Sequence, residues 1–153
     1  MKNNFAVIGA GRLGTSLGRA LVRKGWIIVS LSCLTMKEAR ESRRIIGPGE
    51  ATDDAAKAAR EGSVVFLTAP DEAVAGLAGE LADAGINWKG RFVFHCSGIL
   101  PSAVLDPLKK KGARTGSFHP VQSFPAKRTA PGAFRGITFG VEGGPEAQAL
   151  ASK

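Results

Sequence analysis

The sequence has 153 residues, the length of one domain, and its 44% hydrophobic and 22% charged residues are typical of a soluble globular protein. No apolar run approaches the roughly 20 residues needed to span a bilayer, which excludes a membrane span. The net charge of +8 is spread along the chain without aromatic residues between the cations to stack on bases, which disfavours nucleic-acid binding.

The chain begins with a predicted strand, because residues 5–8 are continuously apolar, as in a strand buried on both faces of a parallel sheet. This run ends at glycines without a small-residue cleavage site, so it is not a signal peptide, and we expect a cytoplasmic protein. Leu13, Leu17 and Leu21 then recur at helical spacing before a second apolar strand at residues 27–31. The unit predicts a βαβ crossover.

Helices and strands continue to alternate along the chain. Residues 47–54 are predicted as a Gly/Pro break and residues 121–136 as a long loop. The further predicted helices are a basic one at 37–46, a short alanine-rich one, and those at 71–85 and 101–112. The further predicted strands cover residues 63–68, 91–98, 113–120 and, at one edge, 137–143. The alternation predicts an α/β fold with a doubly wound, mainly parallel sheet of six to eight strands and helices on both faces.

Three glycines form a G-x-G-x-x-G motif where the first strand meets the first helix. Gly9 permits a tight turn, Gly11 lets the backbone approach a pyrophosphate, and Gly14 lets the helix pack against the strand. The helix N-terminus presents free N–H groups and a positive dipole end to an anion. The motif predicts a dinucleotide-binding loop made of Gly9, Ala10, Gly11, Arg12, Leu13 and Gly14. The alternative is that the glycines serve only a tight turn.

The segment after the second strand, SLSCLTMKEAR, has no acidic residue before Glu38. A carboxylate here would bind the ribose 2′-OH of NAD, whereas its absence removes repulsion of a 2′-phosphate. Hydroxyl groups and cations in the segment favour the phosphate. We therefore expect NADP in preference to NAD, bound by Ser30, Ser32, Cys33, Thr35 and Lys37. The alternative is that the hydroxyls only cap the next helix.

Polar side chains follow three further strands at their carboxyl ends, where open α/β sheets bind ligands. The segments are TAPD, HCSG and GSFHP, and Ala69 and Pro70 of the first are expected to contact the cofactor. His95 and His119 could each transfer a proton, and Ser97 or Ser117 could hydrogen-bond a carbonyl or imine. The candidate catalytic residues are therefore His95, Ser97 and His119, and Ser97 is also a candidate cofactor contact. Alternatively, both histidines only satisfy local hydrogen bonds.

The two cysteines, Cys33 and Cys96, lie far apart, with no CxxC pair and no zinc-ligand spacing. Neither a disulfide nor a metal site is expected. A nucleophilic role for Cys96 is disfavoured, because a cysteine beside a strand is usually buried.

Four segments together resemble the Rossmann-like, NADP-binding half of a bacterial oxidoreductase family whose C-terminal half is a domain of unknown function. They are VIGAGRLGTSLGRAL, FLTAPDEAV, FVFHCSGILPSAVLDPLKKKGARTGSFHPVQSF and FRGITFGVEG. The chain is more distantly similar to pyrroline carboxylate reductase and the deazaflavin-dependent NADP reductases. The resemblance implies a dinucleotide role for Gly9, Gly11 and Gly14. It implies a cleft role for His95, Ser97, Gly98, Ser117, His119 and Pro120. Relatives carry an arginine in the turn that reads SLSCLT here.

The end of the sequence begins a helix at Pro145 and stops after about two turns. Members of the resembled family continue into a helical domain that, in similar reductases, forms a homodimer and closes the active site. We expect residues 1–153 to be the dinucleotide-binding domain without that second domain, to expose an apolar surface where it docks, and to turn over little substrate alone. The predicted function is the NADP(H)-binding domain of an oxidoreductase for a small carbonyl or imine substrate. The alternative is a non-catalytic dinucleotide-binding or sensing module.

Overall fold

The computed structural model describes residues 3–130 and 132–153. Its strands are β1 (Asn4–Ile8), β2 (Ile27–Ser32), β3 (Glu50–Thr52), β4 (Val64–Leu67), β5 (Phe92–His95), β6 (Arg114–Pro120) and β7 (Phe139–Gly143). Its helices are α1 (Arg12–Arg23), α2 (Met36–Ile46), α3 (Ala55–Ala59), α4 (Asp71–Asp83), α5 (Asp106–Lys110) and α6 (Pro145–Ala151). A short 3-10 turn, Ser102–Leu105, precedes α5. Within these ranges no helix has the length and hydropathy to cross a bilayer.

The strands form one seven-stranded sheet in the order β3-β2-β1-β4-β5-β6-β7. Strands β1 to β6 are parallel to their neighbours, and β7 pairs antiparallel with β6 at one edge. The chain winds from β1 outward to β3, returns to β4 beside β1, and then winds outward to the other edge. The prediction of a doubly wound, mainly parallel sheet is confirmed, and the direction of winding reverses between β1 and β4.

Both faces of the sheet are covered by helices, because each central strand buries alternate side chains in two separate cores. In β1, Phe5 and Val7 pack in the core under α1, α2 and α6, while Ala6 and Ile8 pack in the core under α3, α4 and α5. All four side chains are at most 1% exposed. Fully burying one large apolar side chain contributes roughly 1.5–3 kcal/mol, so the continuous apolar runs account for the central position of these strands.

The prediction of a Gly/Pro break at residues 47–54 was wrong in part, because Glu50–Thr52 forms β3. This strand pairs in parallel with Ser30, Leu31 and Ser32 of β2 at the edge of the sheet. It has three residues and no large apolar side chain, so sequence periodicity does not reveal it. Its backbone groups pair because β2 offers an open ladder of donors and acceptors.

The predicted helix over residues 101–112 is divided. Residues 102–105 form the 3-10 turn, and α5 begins only at Asp106. The cause is Pro107, which lies in the first turn of α5. A proline within a helix that began at residue 102 would remove a hydrogen bond and clash with the carbonyl four residues earlier.

The parallel strands end together at one edge of the sheet, which we call the carboxyl edge. The loops that leave it are residues 9–11 after β1, residues 33–35 after β2, residues 68–70 after β4 and residues 96–101 after β5. Strand β6 ends at the same edge with His119 and Pro120. The fold therefore brings the predicted functional segments to a single edge.

Two glycine substitutions test this packing. A Cβ at Gly62 would lie 2.8 Å from Ala6 N and 2.9 Å from Val64 O, backbone atoms held by the sheet. We expect Gly62→Ala to lower the free energy of unfolding by about 1–3 kcal/mol. Gly76 in α4 is exposed, and a Cβ there would meet nothing within 4 Å. Gly76→Ala should therefore raise the free energy of unfolding by about 0.5–1 kcal/mol. Urea unfolding measures both changes, and changes of the same sign would contradict the described packing.

Candidate functional site

The loop after β1 turns sharply between the ends of β2 and β4. Gly9 has φ +82°, a left-handed conformation that favours glycine, and its N–H donates to Ser32 O at 3.0 Å. Ala10 N–H donates to the same carbonyl at 2.9 Å. A Cβ at Gly9 would lie 2.8 Å from Ala69 N. The turn therefore requires glycine both for its conformation and for its contact with the residue after β4.

Hydrogen bonds hold the inner side of this loop. The Ala10 carbonyl accepts from Thr15 Oγ1 at 2.9 Å, from Ser42 Oγ at 2.7 Å and from Cys33 Sγ at 3.5 Å. Thr68 Oγ1 donates to the carbonyl of Gly9 at 2.7 Å. Thr15 and Ser42 are both fully buried. The loop is thus fixed by α1, α2 and the ends of β2 and β4 before any ligand binds.

Gly11 and Gly14 differ in what surrounds them. A Cβ at Gly14 would overlap Thr68 Oγ1 and lie 2.9 Å from Val7 Cγ1, so close packing of α1 on the sheet requires glycine there. A Cβ at Gly11 would meet only Gly9 O, at 3.9 Å, and the φ of Gly11, −76°, lies outside the left-handed region that favours glycine. No contact among the described residues requires a glycine at position 11. The space in front of it is open to a ligand.

The N-terminus of α1 faces this open space without neutralisation. Its first turn has no acidic residue, no side chain caps it, and Gly11 and Arg12 are exposed. The first N–H groups of a helix lack partners within the helix, and the dipole places partial positive charge at this end. We call residues 9–14 the cradle. It has the backbone donors and the positive charge that bind phosphate groups.

The predicted cofactor residues after β2 do not all face the cradle. Ser30 is buried within β2, and its hydroxyl donates to Ala58 O of α3, so the structure does not bring it to the carboxyl edge. Ser32 contributes its carbonyl to the turn at Gly9. Cys33 donates to Ala10 O, and burial raises the pKa of its thiol above the usual value, which keeps the donor proton in place. Lys37 lies exposed in the first turn of α2.

Thr35 is the N-cap of α2. Its hydroxyl accepts from Glu38 N at 3.2 Å and donates to the Glu38 carboxylate at 3.0 Å. The alternative that a hydroxyl in this segment caps the next helix therefore applies at Thr35.

His95 organises the loop after β5. The side chain is fully buried; Nδ1 accepts from Ser97 N at 3.2 Å, and Nε2, assigned as the protonated nitrogen, donates to Pro101 O at 3.3 Å. Burial lowers the pKa of His95, so the neutral ring that makes both bonds is favoured. Ser97 Oγ accepts from Ile99 N and Leu100 N, each at 3.2 Å. His95 thus closes the loop that holds Ser97, a residue that is itself only 9% exposed.

His119 differs from His95 because one of its ring nitrogens has no partner. Nδ1 lies 3.1 Å from Cys96 O, which can only accept, so Nδ1 carries the proton. Nε2 makes no hydrogen bond among the described residues, and it lies against Gly98, where a Cβ would be 2.6 Å from it. His119 is half-buried. A neutral His119 therefore offers Nε2 as an acceptor at the carboxyl edge.

Two other polar groups near these histidines have little access to a ligand. Ser117 pairs in register with His95 and is buried. Cys96 is buried, and burial raises the pKa of its thiol to about 12, so it is not a thiolate at neutral pH. In the described ranges no group of three or more His, Cys, Asp or Glu residues is placed to hold a metal ion.

Three residues that support the site, Thr15, Ser42 and Thr68, had no predicted role. Thr68 belongs to the TAPD segment, which was predicted to lie at the carboxyl ends of the strands, but its hydrogen bond to the Gly9 carbonyl was not predicted. Thr15 and Ser42 carry no such signal, since hydroxyl residues within helices are usually solvent-exposed. A fourth residue, Lys127, reaches Ser42 from a loop 85 residues away in sequence.

A groove of about 890 Å³ lies on the α1 face of the sheet, and no residue of the cradle lines it. Its walls include the aromatic side chains of Trp26, Phe66, Phe94, Phe118, Phe134 and Phe139. The cations that line it are Arg19, Arg23, Lys24, Arg135 and Lys153, and no acidic residue in the described chain lines it. Most of the residues that line the groove are apolar, and docking of a helical partner there stays a prediction.

A family model described as a Rossmann-like domain matches residues 2–120. No protein of curated function matches the sequence. Among solved structures, the chain is similar to a Bacteroides fragilis protein provisionally assigned as an NADP oxidoreductase. The two share 29% identity with a TM-score of 0.80, over 97% of this chain and 56% of that one.

Two more distant structures share the fold. The 3-hydroxyisobutyrate dehydrogenase of Mycobacterium tuberculosis is 19% identical with a TM-score of 0.78, over 99% of this chain and 50% of that one. A pyrroline-5-carboxylate reductase from Coxiella burnetii is 16% identical with a TM-score of 0.75, over 99% of this chain and 54% of that one. This chain spans about half the length of each of these proteins.

The burial of His95 predicts a specific dependence of stability on pH. Folding lowers the pKa of His95, so the unfolded chain binds the proton more tightly than the folded one. The neutral ring therefore makes its whole contribution to the free energy of unfolding above the unfolded pKa of about 6.5. As the pH falls below that value, the free energy of unfolding should decrease by up to about 1.4 kcal/mol per pH unit from this group. Urea unfolding of the wild type and of His95→Asn between pH 7.5 and 5 measures it. The variant should have a lower free energy of unfolding at pH 7.5 than the wild type, but this free energy should fall less on acidification. An equal fall in both proteins would contradict a buried neutral His95.

Proposed function

The chain belongs to the Rossmann-like domain family, and from this premise we propose that it is the NADP(H)-binding part of an oxidoreductase. The observation that supports dinucleotide binding most strongly is the environment of Gly11. A side chain there would meet no described atom closer than 3.9 Å, yet the residue is glycine and stands at the open N-terminus of α1. A ligand that approaches the backbone explains this glycine, whereas packing does not.

The residues of the cradle fit a pyrophosphate. Arg12 and Leu13 would contribute N–H groups, and the Arg12 side chain is exposed beside them. Ala69 and Pro70, which follow β4 across the winding reversal, would form the opposite wall. The Bacteroides fragilis structure, at 29% identity, is assigned as an NADP oxidoreductase, and this similarity supports a nicotinamide dinucleotide as the ligand.

A preference for NADP over NAD is supported by the charges after β2. The first acidic residue is Glu38, and its carboxylate accepts from the cap residue Thr35. Cys33, directly after β2, is held as a neutral thiol. Lys37 is exposed nearby. A ribose 2′-phosphate would therefore meet no fixed carboxylate at the end of β2.

The candidate reaction is reduction of a small carbonyl or imine, for which a bound nicotinamide supplies the hydride. His119 would hydrogen-bond the reacting oxygen or nitrogen through Nε2, and in its protonated form would deliver a proton there. The Ser97 hydroxyl accepts two backbone bonds and keeps its own proton for a substrate or cofactor acceptor. His95 would act by holding this loop in place.

The carboxyl edge also exposes apolar side chains beside His119. Ile99 is 80% exposed and Val121 is 57% exposed. Reduction by hydride transfer proceeds best in a site from which water is excluded. We propose that a second protein surface, a helical domain that also forms a homodimer, covers this edge during turnover.

Cofactor titration tests the binding function. We expect the protein to bind NADPH about tenfold or more tightly than NADH, because a 2′-phosphate adds charge-assisted hydrogen bonds. Gly11→Ala should weaken both affinities by about tenfold or more while leaving the melting temperature close to that of the wild type, since the new methyl group blocks only the ligand. Gly76→Ala is the matched control. Unchanged affinities in Gly11→Ala would refute the cradle as the binding site.

Turnover with a panel of aldehydes, 2-oxo acids and cyclic imines, measured on the protein together with the proposed helical domain, tests the catalytic function. We expect His119→Ala to lower kcat by roughly 10²-fold or more with NADPH affinity nearly unchanged, as for loss of a general acid. Gly76→Ala, at an exposed position in α4 outside the proposed site, should keep its kcat. Equal turnover in His119→Ala would contradict the proposed role. NADPH binding without oxidation by the wild type across the panel would instead support a sensing module, as favoured by the internal hydrogen bonds of His95 and Ser97.

A further inference from the structure

The loop between β6 and β7 crosses the outer surface of α1 close to the cradle. Ser16 Oγ lies 3.3 Å from Lys127 O and 3.5 Å from Ala126 O, and Arg19 Nη1 donates to Thr129 O at 3.2 Å. We call residues 126–129 the strap. It is held against the first two turns of the helix whose N-terminus forms the cradle.

The strap places one ammonium group beside the hydrogen bonds that fix the cradle. Lys127 Nζ donates to Ser42 Oγ at 3.1 Å, and Ser42 Oγ donates its own proton to Ala10 O at 2.7 Å. Cys33 Sγ lies 3.9 Å from the same Ser42 oxygen. Burial raises the pKa of the Cys33 thiol, while the nearby Lys127 ammonium opposes that rise. Lys127 is therefore an electrostatic neighbour of the residue directly after β2.

The charge of Lys127 is only weakly neutralised. Within the part of the chain that the structure describes, its one ion pair is with Glu41, at 4.0 Å, and the two side chains are 28% and 47% exposed. A pair at this distance and exposure contributes little. Ser42 keeps its bond to Ala10 whether or not Lys127 is present, because its hydroxyl proton points to Ala10 and only a lone pair faces the ammonium. Lys127 can thus move to a nearby anion without loosening the cradle.

The position directly after β2 is where a dinucleotide-binding sheet distinguishes a ribose 2′-OH from a 2′-phosphate. Cys33 occupies this position and carries no charge to make that distinction. We propose that Lys127 is a specificity-determining residue that supplies positive charge to the 2′-phosphate of NADP(H) from the strap. The inference rests on the proposed dinucleotide function and deepens it, since it assigns the selectivity to a loop far from the glycine motif in sequence.

A purely structural role is the competing explanation, in which Lys127 only ties the strap to α2. The two explanations differ in what Lys127→Ala does to two ligands that differ by one phosphate. Loss of a structural contact lowers the affinities for NADPH and NADH alike, whereas loss of a phosphate contact lowers only the affinity for NADPH. Binding is therefore measured by calorimetric titration, without reference to turnover.

We expect Lys127→Ala to lower the affinity for NADPH by about tenfold or more and the affinity for NADH by less than about twofold, because a charge-assisted hydrogen bond to the 2′-phosphate is lost. Lys127→Arg should keep most of the NADPH affinity. Arg128→Ala removes the same charge from the next, exposed position of the strap and should leave both affinities within about twofold, which separates a local contact from net charge. Melting temperatures confirm that each variant is folded.

Equal weakening of NADPH and NADH in Lys127→Ala, or an equal effect of Arg128→Ala on NADPH, would overturn the inference. Failure of the wild type to bind either cofactor would refute the proposed function itself and is a separate result. The difference between wild type and Lys127→Ala for NADPH should also shrink at high salt, because screening weakens exposed charge interactions.

Discussion

Three donors from different parts of the chain converge on the carbonyl oxygen of Ala10. Thr15 comes from α1, Cys33 from the end of β2 and Ser42 from α2, and together they fix the loop after β1 from its inner side. On the outer side, Gly11 has no side chain and its N–H donates to Gly9 O at 2.7 Å, but no hydrogen bond from the N–H of Arg12 or Leu13 is found among the described residues. These two N–H groups of the α1 N-terminus therefore remain for a ligand. The cradle is rigid without being closed.

The same division applies to the two histidines at the carboxyl edge. His95 is buried and uses both ring nitrogens to close the loop after β5, so its role is organisation. His119 uses only Nδ1, on Cys96 O, and leaves Nε2 without a partner in the described chain. Structural demands are met by the inner residue of each pair, Gly14 or His95. The outer one, Gly11 or His119, keeps the group on which the proposed function depends. A rigid frame with few free groups limits the entropy lost on binding.

Local pattern was enough to predict most of the sheet and the position of the cradle. Apolar runs such as Phe5 to Ile8 and helical spacing of Leu13 and Leu17 act over a few residues, and they predicted every element except β3 and the division at Pro107. Strand β3 was not predicted, because its pairing depends on the open edge of β2 and not on its own three residues. The direction of the Ser30 side chain was also not predicted. Ser30 is one of several hydroxyl residues after the glycine motif, but its position in β2 directs its hydroxyl toward α3. Thr68 and Lys127 act through contacts distant in sequence, which periodicity does not report.

The central claim is that a dinucleotide binds on the open side of the cradle, with its pyrophosphate at the α1 N-terminus. The most direct test is an amide NMR titration of the ¹⁵N-labelled protein with NADPH. We expect the largest shift changes at Gly11, Arg12 and Leu13, with smaller changes at residues 33–35 and 69–70 and none at Trp26 or Phe139. Shift changes confined to the apolar groove on the α1 face, with the amides of residues 11–13 unmoved, would contradict it.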